Sequence, residues 1–142
     1  MNDMKLIEHP DIDSLLEVLR RERQILDLLE DRYWELGALI ASERNRPLAS
    51  AVKRVADAEH HLGTVEVLRA LVVAGIAEVW EVPEHDLSVR AIIERSPQER
   101  AATLEDALAS FRQTKLAIDR LKTSVAEMAR ERLGSSQQPS VV

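Results

Sequence analysis

The strongest constraint on the fold is an apolar stripe along one predicted helix, from Leu15 to Ile40. Its residues recur at alternating steps of four and three, the spacing of side chains that share one face of an α-helix. Such a stripe is typical of the seam of a coiled coil or helical bundle. A helix cannot bury it alone, so we expect the rest of the chain to supply partner helices. The stripe positions are Leu15, Leu19, Glu22, Leu26, Leu29, Tyr33, Leu36 and Ile40.

Two further stripes with this spacing predict two more long helices. The break between the first two helices, residues 42–47, is short and polar, so these helices should form an antiparallel hairpin. A short helix, which Ser88 can cap and which Ile92 and Ile93 anchor, should lead to the third long helix. We therefore predict an all-α fold: an elongated antiparallel helical hairpin or coiled coil, a short connecting helix and a third long helix. The predicted helices cover about residues 14–43, 46–81, 88–95 and 97–133 of a single domain, 1–134.

Capping residues predict where the first two helices begin. Ser14 and Glu17 have the spacing of a capping box, although Asp11 or Asp13 could cap the first helix instead. Asn45 is the predicted N-cap of the second helix. The residues before the first helix are predicted to be only loosely ordered.

The third long helix carries signals at both ends. Ser96 followed directly by Pro97 is a typical helix start, with serine as N-cap and proline in the first turn. Gly134 fits the position just after a helix end, where glycine is favoured. Residues 135–142 are therefore predicted to be a disordered tail.

Two glycines, Gly63 and Gly75, lie inside the second predicted helix. Glycine there costs about 1 kcal/mol relative to alanine. Each glycine therefore marks either a point of close helix packing or a position where the helix is less stable. The sequence alone does not distinguish these two interpretations.

Composition excludes several classes of function. The 142 residues include 19 Lys and Arg against 25 Asp and Glu, a net charge of −6 that repels nucleic acids and anionic membranes. The longest apolar run, residues 70–77, is far shorter than the roughly 20 residues of a membrane span, so we predict no membrane insertion. There is no cysteine for a disulfide or thiolate site, and no cofactor motif. The start of the chain lacks the pattern of a secretory signal, so we expect a cytoplasmic protein.

The adjacent histidines His60 and His61 are the only candidates for metal ligands. Neighbouring residues on a helix point about 100° apart and do not converge on one ion. Asp57 shares a face with His61, but two ligands do not complete a metal site. We predict no metal site.

One segment raises an enzymatic alternative. Residues 28–32, Leu-Leu-Glu-Asp-Arg, resemble part of the helical chorismate mutases, which use several cations on long helices to hold a dicarboxylate. The chain has Glu43 where a lysine is required one helix length after Arg32, and it lacks an Arg-Glu pair soon after Pro47. We therefore predict no catalytic residues, and this enzyme stays the less favoured alternative.

Three other segments carry a resemblance to a known family. They are Leu19–Leu26 with the Leu-rich run after it, Val67–Ala70, and Val82–Pro83 followed by Ser88–Ile92 and Ser96–Pro97. Together they resemble the FlgN family of flagellar export chaperones, the type III secretion chaperones for hook–filament junction proteins. The last segment is similar to the family's Leu-Pro turn, short helix and following proline. Glu81 departs from the family, which often has glycine before the Leu-Pro.

The resemblance implies a cytoplasmic, all-helical chaperone for bacterial flagellum assembly, without enzymatic activity. Members of this family hold the C-terminal helical segment of hook-associated junction proteins and deliver it to components of the export apparatus. The family's C-terminal helical region contributes strongly to this binding, and it maps onto residues 101–128 here. The predicted partner-binding residues are therefore Leu104, Leu108, Phe111, Ile118, Leu121, Val125 and Met128.

An amphipathic helix can lay its apolar stripe on a partner's helix. For this role the third stripe must be at least partly open in the free protein. An open stripe also leaves homodimerisation of the free protein as an alternative. A generic coiled-coil adaptor, which would have a folded and permanent partner, remains the second alternative for function.

Overall fold

The computed structural model describes residues 6–7, 10–42 and 47–137, with side chains as far as residue 134. No strand occurs in these ranges, and the predicted all-α fold is confirmed. A short 3-10 turn, Glu84–Asp86, precedes the third helix. The helices are α1 (Ile12–Ala41), α2 (Leu48–Val79), α3 (Val89–Arg95) and α4 (Gln98–Gln137).

The first two helices form the predicted antiparallel hairpin. Arg69 of α2 lies against Glu22 in the first half of α1, and Glu59 accepts a hydrogen bond from Tyr33 further along. All eight predicted stripe positions of α1 are buried. The hairpin packs as predicted because α2 presents its own apolar stripe to this face of α1, with Val72 and Ile76 almost completely buried.

The fourth helix runs parallel to α1 and packs along it. Near the start of both helices Arg100 forms an ion pair with Asp13, and near their ends Arg132 donates a hydrogen bond to the Ile40 carbonyl at 3.2 Å. The two helices approach closely at Gly37, where a Cβ would lie 3.2 Å from the nearest side-chain atom of α4. As a result α1 is the central helix, in contact with both α2 and α4.

The apolar spacing of α2 continues past its packed face. Val79 lies three residues after the buried Ile76 but is 65% exposed, whereas Leu68 is buried. The reason is that α2 ends at Val79, and Trp80 then packs against the core in its place. The apolar pattern therefore extends one position further than the packed helix face.

The end of α2 is a Schellman turn built without glycine. The N–H of Val82 donates to the carbonyl of Ala77 at 3.0 Å, and the N–H of Glu81 donates to Glu78 at 3.2 Å. These are the two hydrogen bonds of the motif, and they place Glu81 at the position that requires a left-handed backbone. Glu81 has a φ of 55°, in the region that disfavours residues with a Cβ.

Replacing this glutamate by glycine should therefore stabilise the protein. We expect Glu81→Gly to raise the free energy of unfolding by about 1 kcal/mol, because glycine adopts the left-handed conformation without strain. Glu81→Ala is the matched control, since alanine keeps the Cβ and should leave stability nearly unchanged. Urea denaturation measures both. Equal stability of the glycine and alanine variants would show that the turn is not strained.

The helix starts differ from the predictions at two serines. Asp11, one of the alternatives, caps α1 by accepting from the Ser14 N–H at 2.8 Å, while Ser14 itself is buried inside the helix. Ser88 caps α3 as predicted, accepting from Ala91 at 3.0 Å. The hydroxyl of Ser96 points backwards and donates to the Ile92 carbonyl at 2.6 Å. Ser96 therefore closes the end of α3, and its prediction as N-cap of α4 is wrong.

The ends of the chain also differ from expectation. Leu6 is buried in the core, so the predicted loosely ordered start is wrong at this residue. Gly134 does not end α4, which continues to Gln137. The φ of Gly134 is not positive. Glycine ends a helix by adopting the left-handed backbone conformation, which Gly134 does not adopt. The rest of the predicted tail, residues 138–142, and the predicted cap Asn45 lie outside the described residues.

The two glycines inside α2 have different environments. A Cβ at Gly75 would lie 2.6 Å from the ring of Pro10, so this glycine is a point of close packing. A Cβ at Gly63 would meet no atom within 4 Å. Gly63 is therefore a weak point of the helix.

This difference predicts opposite effects of one substitution. Gly63→Ala should raise the free energy of unfolding by about 1 kcal/mol, because it improves helix propensity without a clash. Gly75→Ala should lower it by about 1–3 kcal/mol, because the added methyl overpacks the contact with Pro10. Chemical denaturation measures both, and Pro10→Ala should relieve most of the cost at position 75. Similar effects at the two positions would contradict this account.

Candidate functional site

The predicted partner-binding stripe is packed inside the protein. Leu121 and Met128 are half-buried against the core, and the other five residues of the stripe are buried. Partner binding at this stripe requires it to be at least partly open in the free protein, and in this structure it is closed. The same spacing serves an intramolecular seam and a binding surface, and here α1 covers it.

An open apolar groove lies close to the end of this stripe. It has a volume of about 510 Å³ and runs between the start of α2 and the last turns of α4, with α1 as its floor. We call it the apolar groove. It is lined by Tyr33, Leu36, Ile40, Leu48, Val52, Lys122, Val125, Ala126, Ala129, Arg132 and Leu133.

The groove stays open because of which side chains face it. Ala126 and Ala129 of α4 are too short to reach across to α2. Two large apolar side chains at its edges remain exposed, Val52 by 50% and Leu133 by 56%. Exposed apolar residues that border a concave surface are typical of a site where another molecule docks.

Polar groups fix the walls of the groove. Glu59 accepts a hydrogen bond from the Tyr33 hydroxyl and forms an ion pair with Lys122 at 3.4 Å, linking all three long helices. Burial and the contact with Glu59 raise the pKa of the Tyr33 hydroxyl well above its ordinary value, so it stays a neutral donor. Arg132 reaches the Ile40 carbonyl at the negative end of α1. The groove therefore combines an apolar floor with two cationic side chains, Lys122 and Arg132.

A second unusual site lies deeper, where α1 carries the only acidic residue of its stripe. Glu22 is fully buried, and Arg69 Nε lies 3.2 Å from Glu22 Oε1. Among the described residues neither carboxylate oxygen accepts a well-directed hydrogen bond. The Arg69 guanidinium stacks over the Phe111 ring of α4 at 5.5 Å. One ion pair is therefore the main compensation for burying this charge.

The buried position changes the acidity of this residue. Desolvation raises the pKa of Glu22 to about 7, and Glu66 adds to the rise, while Arg69 and Lys115 oppose it. The folded protein thus binds this proton more tightly than the unfolded chain does. Glu22 consequently stabilises the fold below about pH 4.5, and this contribution is lost as the pH rises through about 7.

Glu22→Gln should remove this pH dependence. The shift corresponds to a loss on the order of 3 kcal/mol between the neutral and charged carboxyl. We therefore expect the difference in unfolding free energy, Glu22→Gln minus wild type, to grow as the pH rises from about 5 to about 8. Urea denaturation across this range measures the difference and cancels the other titrating groups. A difference that is constant with pH would contradict the assignment.

The other candidates from the sequence do not assemble into a site. His60 and His61 are both exposed. In the described part of the chain, no three His, Asp or Glu side chains come together where they could hold a metal ion. Arg32 pairs with Glu35 of its own helix at 3.5 Å. No helix in the described ranges has the length and apolar character needed to cross a membrane.

Sequence reasoning named Val125 but missed most of the apolar groove. Val52 and Leu133 lie beside the predicted stripes rather than on them, and Ala126 and Ala129 are small residues that single no position out. Large apolar residues that lie beside a complete stripe could have indicated this surface, because the helix seam does not need them for its own packing.

Comparison with protein-family models, with curated proteins and with solved structures gave no match for this chain.

Proposed function

We propose that this chain is a cytoplasmic flagellar export chaperone of the FlgN type. In this proposal it binds the C-terminal helical segment of a hook-associated junction protein before type III secretion and passes it to the export apparatus. The observation that carries the proposal is the apolar groove between α2 and α4. The residues that resemble the FlgN family supply the identity of the cargo.

The groove suits an amphipathic helix. Helix-in-groove recognition uses an apolar channel that receives side chains spaced three and four residues apart. The floor of the groove carries Leu36 and Ile40, and its edges carry Val52 and Leu133. Lys122 is paired with Glu59, so the proposal rests on the apolar surface of the groove and not on its charge.

The resemblance assigns cargo binding to the C-terminal helical region, and the groove places part of that region at the surface. Val125, Ala126, Ala129 and Leu133 of α4 line it. Val125 belongs to the predicted partner-binding stripe as well. We therefore propose that cargo contacts α4 through the side of the helix that faces the groove, while residues such as Leu104 and Leu108 keep α4 on α1.

Two alternative functions predict different experimental results. A generic coiled-coil adaptor would bind a folded partner and not an isolated cargo helix. A chorismate mutase-like enzyme would rearrange chorismate, which a spectrophotometric assay detects directly.

Charged substitutions at the groove edge test the proposal. We expect Val52→Asp with Leu133→Asp to leave the thermal melt nearly unchanged, because both side chains are at least half exposed. The affinity for a peptide from the C-terminal helix of a junction protein should fall by at least about tenfold, since binding would bury the new charges. Circular dichroism and isothermal titration calorimetry measure the two effects.

The matched control is Val67→Asp with Val79→Asp. These residues of α2 are 61% and 65% exposed and lie outside the apolar groove, so their substitution should preserve peptide binding. Equal loss of affinity in both double variants would exclude the groove as the specific site. No binding of any junction-protein peptide by the wild type would refute the proposed function itself.

A further inference from the structure

The carboxylate of Glu22 lies at a junction of the three long helices. It belongs to the middle of the buried stripe of α1, and α2 brings Arg69 to within 3.2 Å of it. The guanidinium of Arg69 also lies over the Phe111 ring of α4, 5.5 Å from its centroid. The packing of α4 therefore helps to close the pocket in which this charge is held.

This arrangement stabilises an uncharged Glu22 better than a charged one. With α4 in place, the carboxylate has no solvent exposure and, among the described residues, accepts no well-directed hydrogen bond. Without α4, water could reach the carboxylate through the open side. Arg69, already 27% exposed, could still pair with it. Movement of α4 away from the hairpin therefore stabilises a charged Glu22 more than a neutral one, because the charged carboxylate gains hydration.

We propose that Glu22 is a charge-controlled release point for α4: a charged carboxylate lets the helix Gln98–Gln137 leave the hairpin, and a neutral one holds it in place. The helix that leaves is α4 and not α2, because α2 supplies the cation that pairs with Glu22. From α4 the groups near this site are the Phe111 ring and the exposed Lys115. This inference concerns the free protein and does not rest on the proposed function.

The titration range of the site makes the release point responsive near neutral pH. The charged groups that act on Glu22 are Arg69 and Glu66 from α2 and Lys115 from α4, and burial outweighs them in raising its pKa to about 7. Small changes of pH around neutrality therefore change the fraction of charged Glu22 in the docked state.

Release of α4 also exposes a defined surface. Leu104, Leu108 and Phe111 lose their contact with α1 when the helix leaves. These residues belong to the stripe that the family resemblance assigns to partner binding. A buried stripe and an exposed one are then two states of the same protein, and Glu22 sets the balance between them.

Hydrogen–deuterium exchange of the full chain at about pH 6 and about pH 8 tests the proposal. Protection factors, which remove the intrinsic pH dependence of exchange, should fall by about tenfold in α4 between these values for the wild type. Protection in α1 and α2 near the hairpin turn should change much less. In Glu22→Gln the protection of α4 should be the same at both pH values and higher than in the wild type at about pH 8.

Glu30→Gln is the matched control, because it removes one carboxylate from the same helix at a half-exposed position. It should retain the pH dependence of the wild type. Equal loss of protection in α4 and in the hairpin would mean global unfolding and would overturn the proposal. So would wild-type protection of α4 that does not depend on pH, or a dependence that persists in Glu22→Gln.

Discussion

The whole structure depends on the burial of α1 by two other helices. Its stripe is wide enough to require both α2 and α4, and every predicted stripe position is covered. Where all three helices meet, polar contacts such as Tyr33–Glu59–Lys122 fix their relative positions. The apolar groove exists because α2 and α4 both follow α1 but do not close on each other near its end. The candidate site is thus a direct result of building a bundle around one central helix.

Glu22 introduces a different kind of constraint into the same seam. An apolar residue at this position would make the bundle more stable, since one ion pair with Arg69 does not fully compensate for the loss of hydration. This loss of stability acts mainly on the contact between α4 and the hairpin, because the charge lies where they meet. Stability and the freedom of α4 to move are therefore set by the same side chain.

Periodicity predicted the helices and their seams well, since a stripe such as Leu15 to Ile40 has to be buried against other helices. It could not distinguish a seam that is filled by the chain itself from one that binds a partner, and the assignment of the stripe around Leu108 to cargo came from the family resemblance alone. It also could not show that Pro10 packs on Gly75, because that contact joins distant parts of the sequence. The sequence showed Glu81 in the place where the family often has glycine, but it did not show that glutamate adopts the left-handed backbone there.

The parallel arrangement of α1 and α4 has a consequence for the order of folding. Contacts within the hairpin join residues such as Tyr33 and Glu59, 26 positions apart, whereas Ile40 and Arg132 are 92 positions apart. Closing the longer loop costs more chain entropy, so contacts of low separation form first. During synthesis the hairpin is complete in sequence well before α4 has been made. A newly made chain therefore passes through a stage at which one side of α1 is still bare.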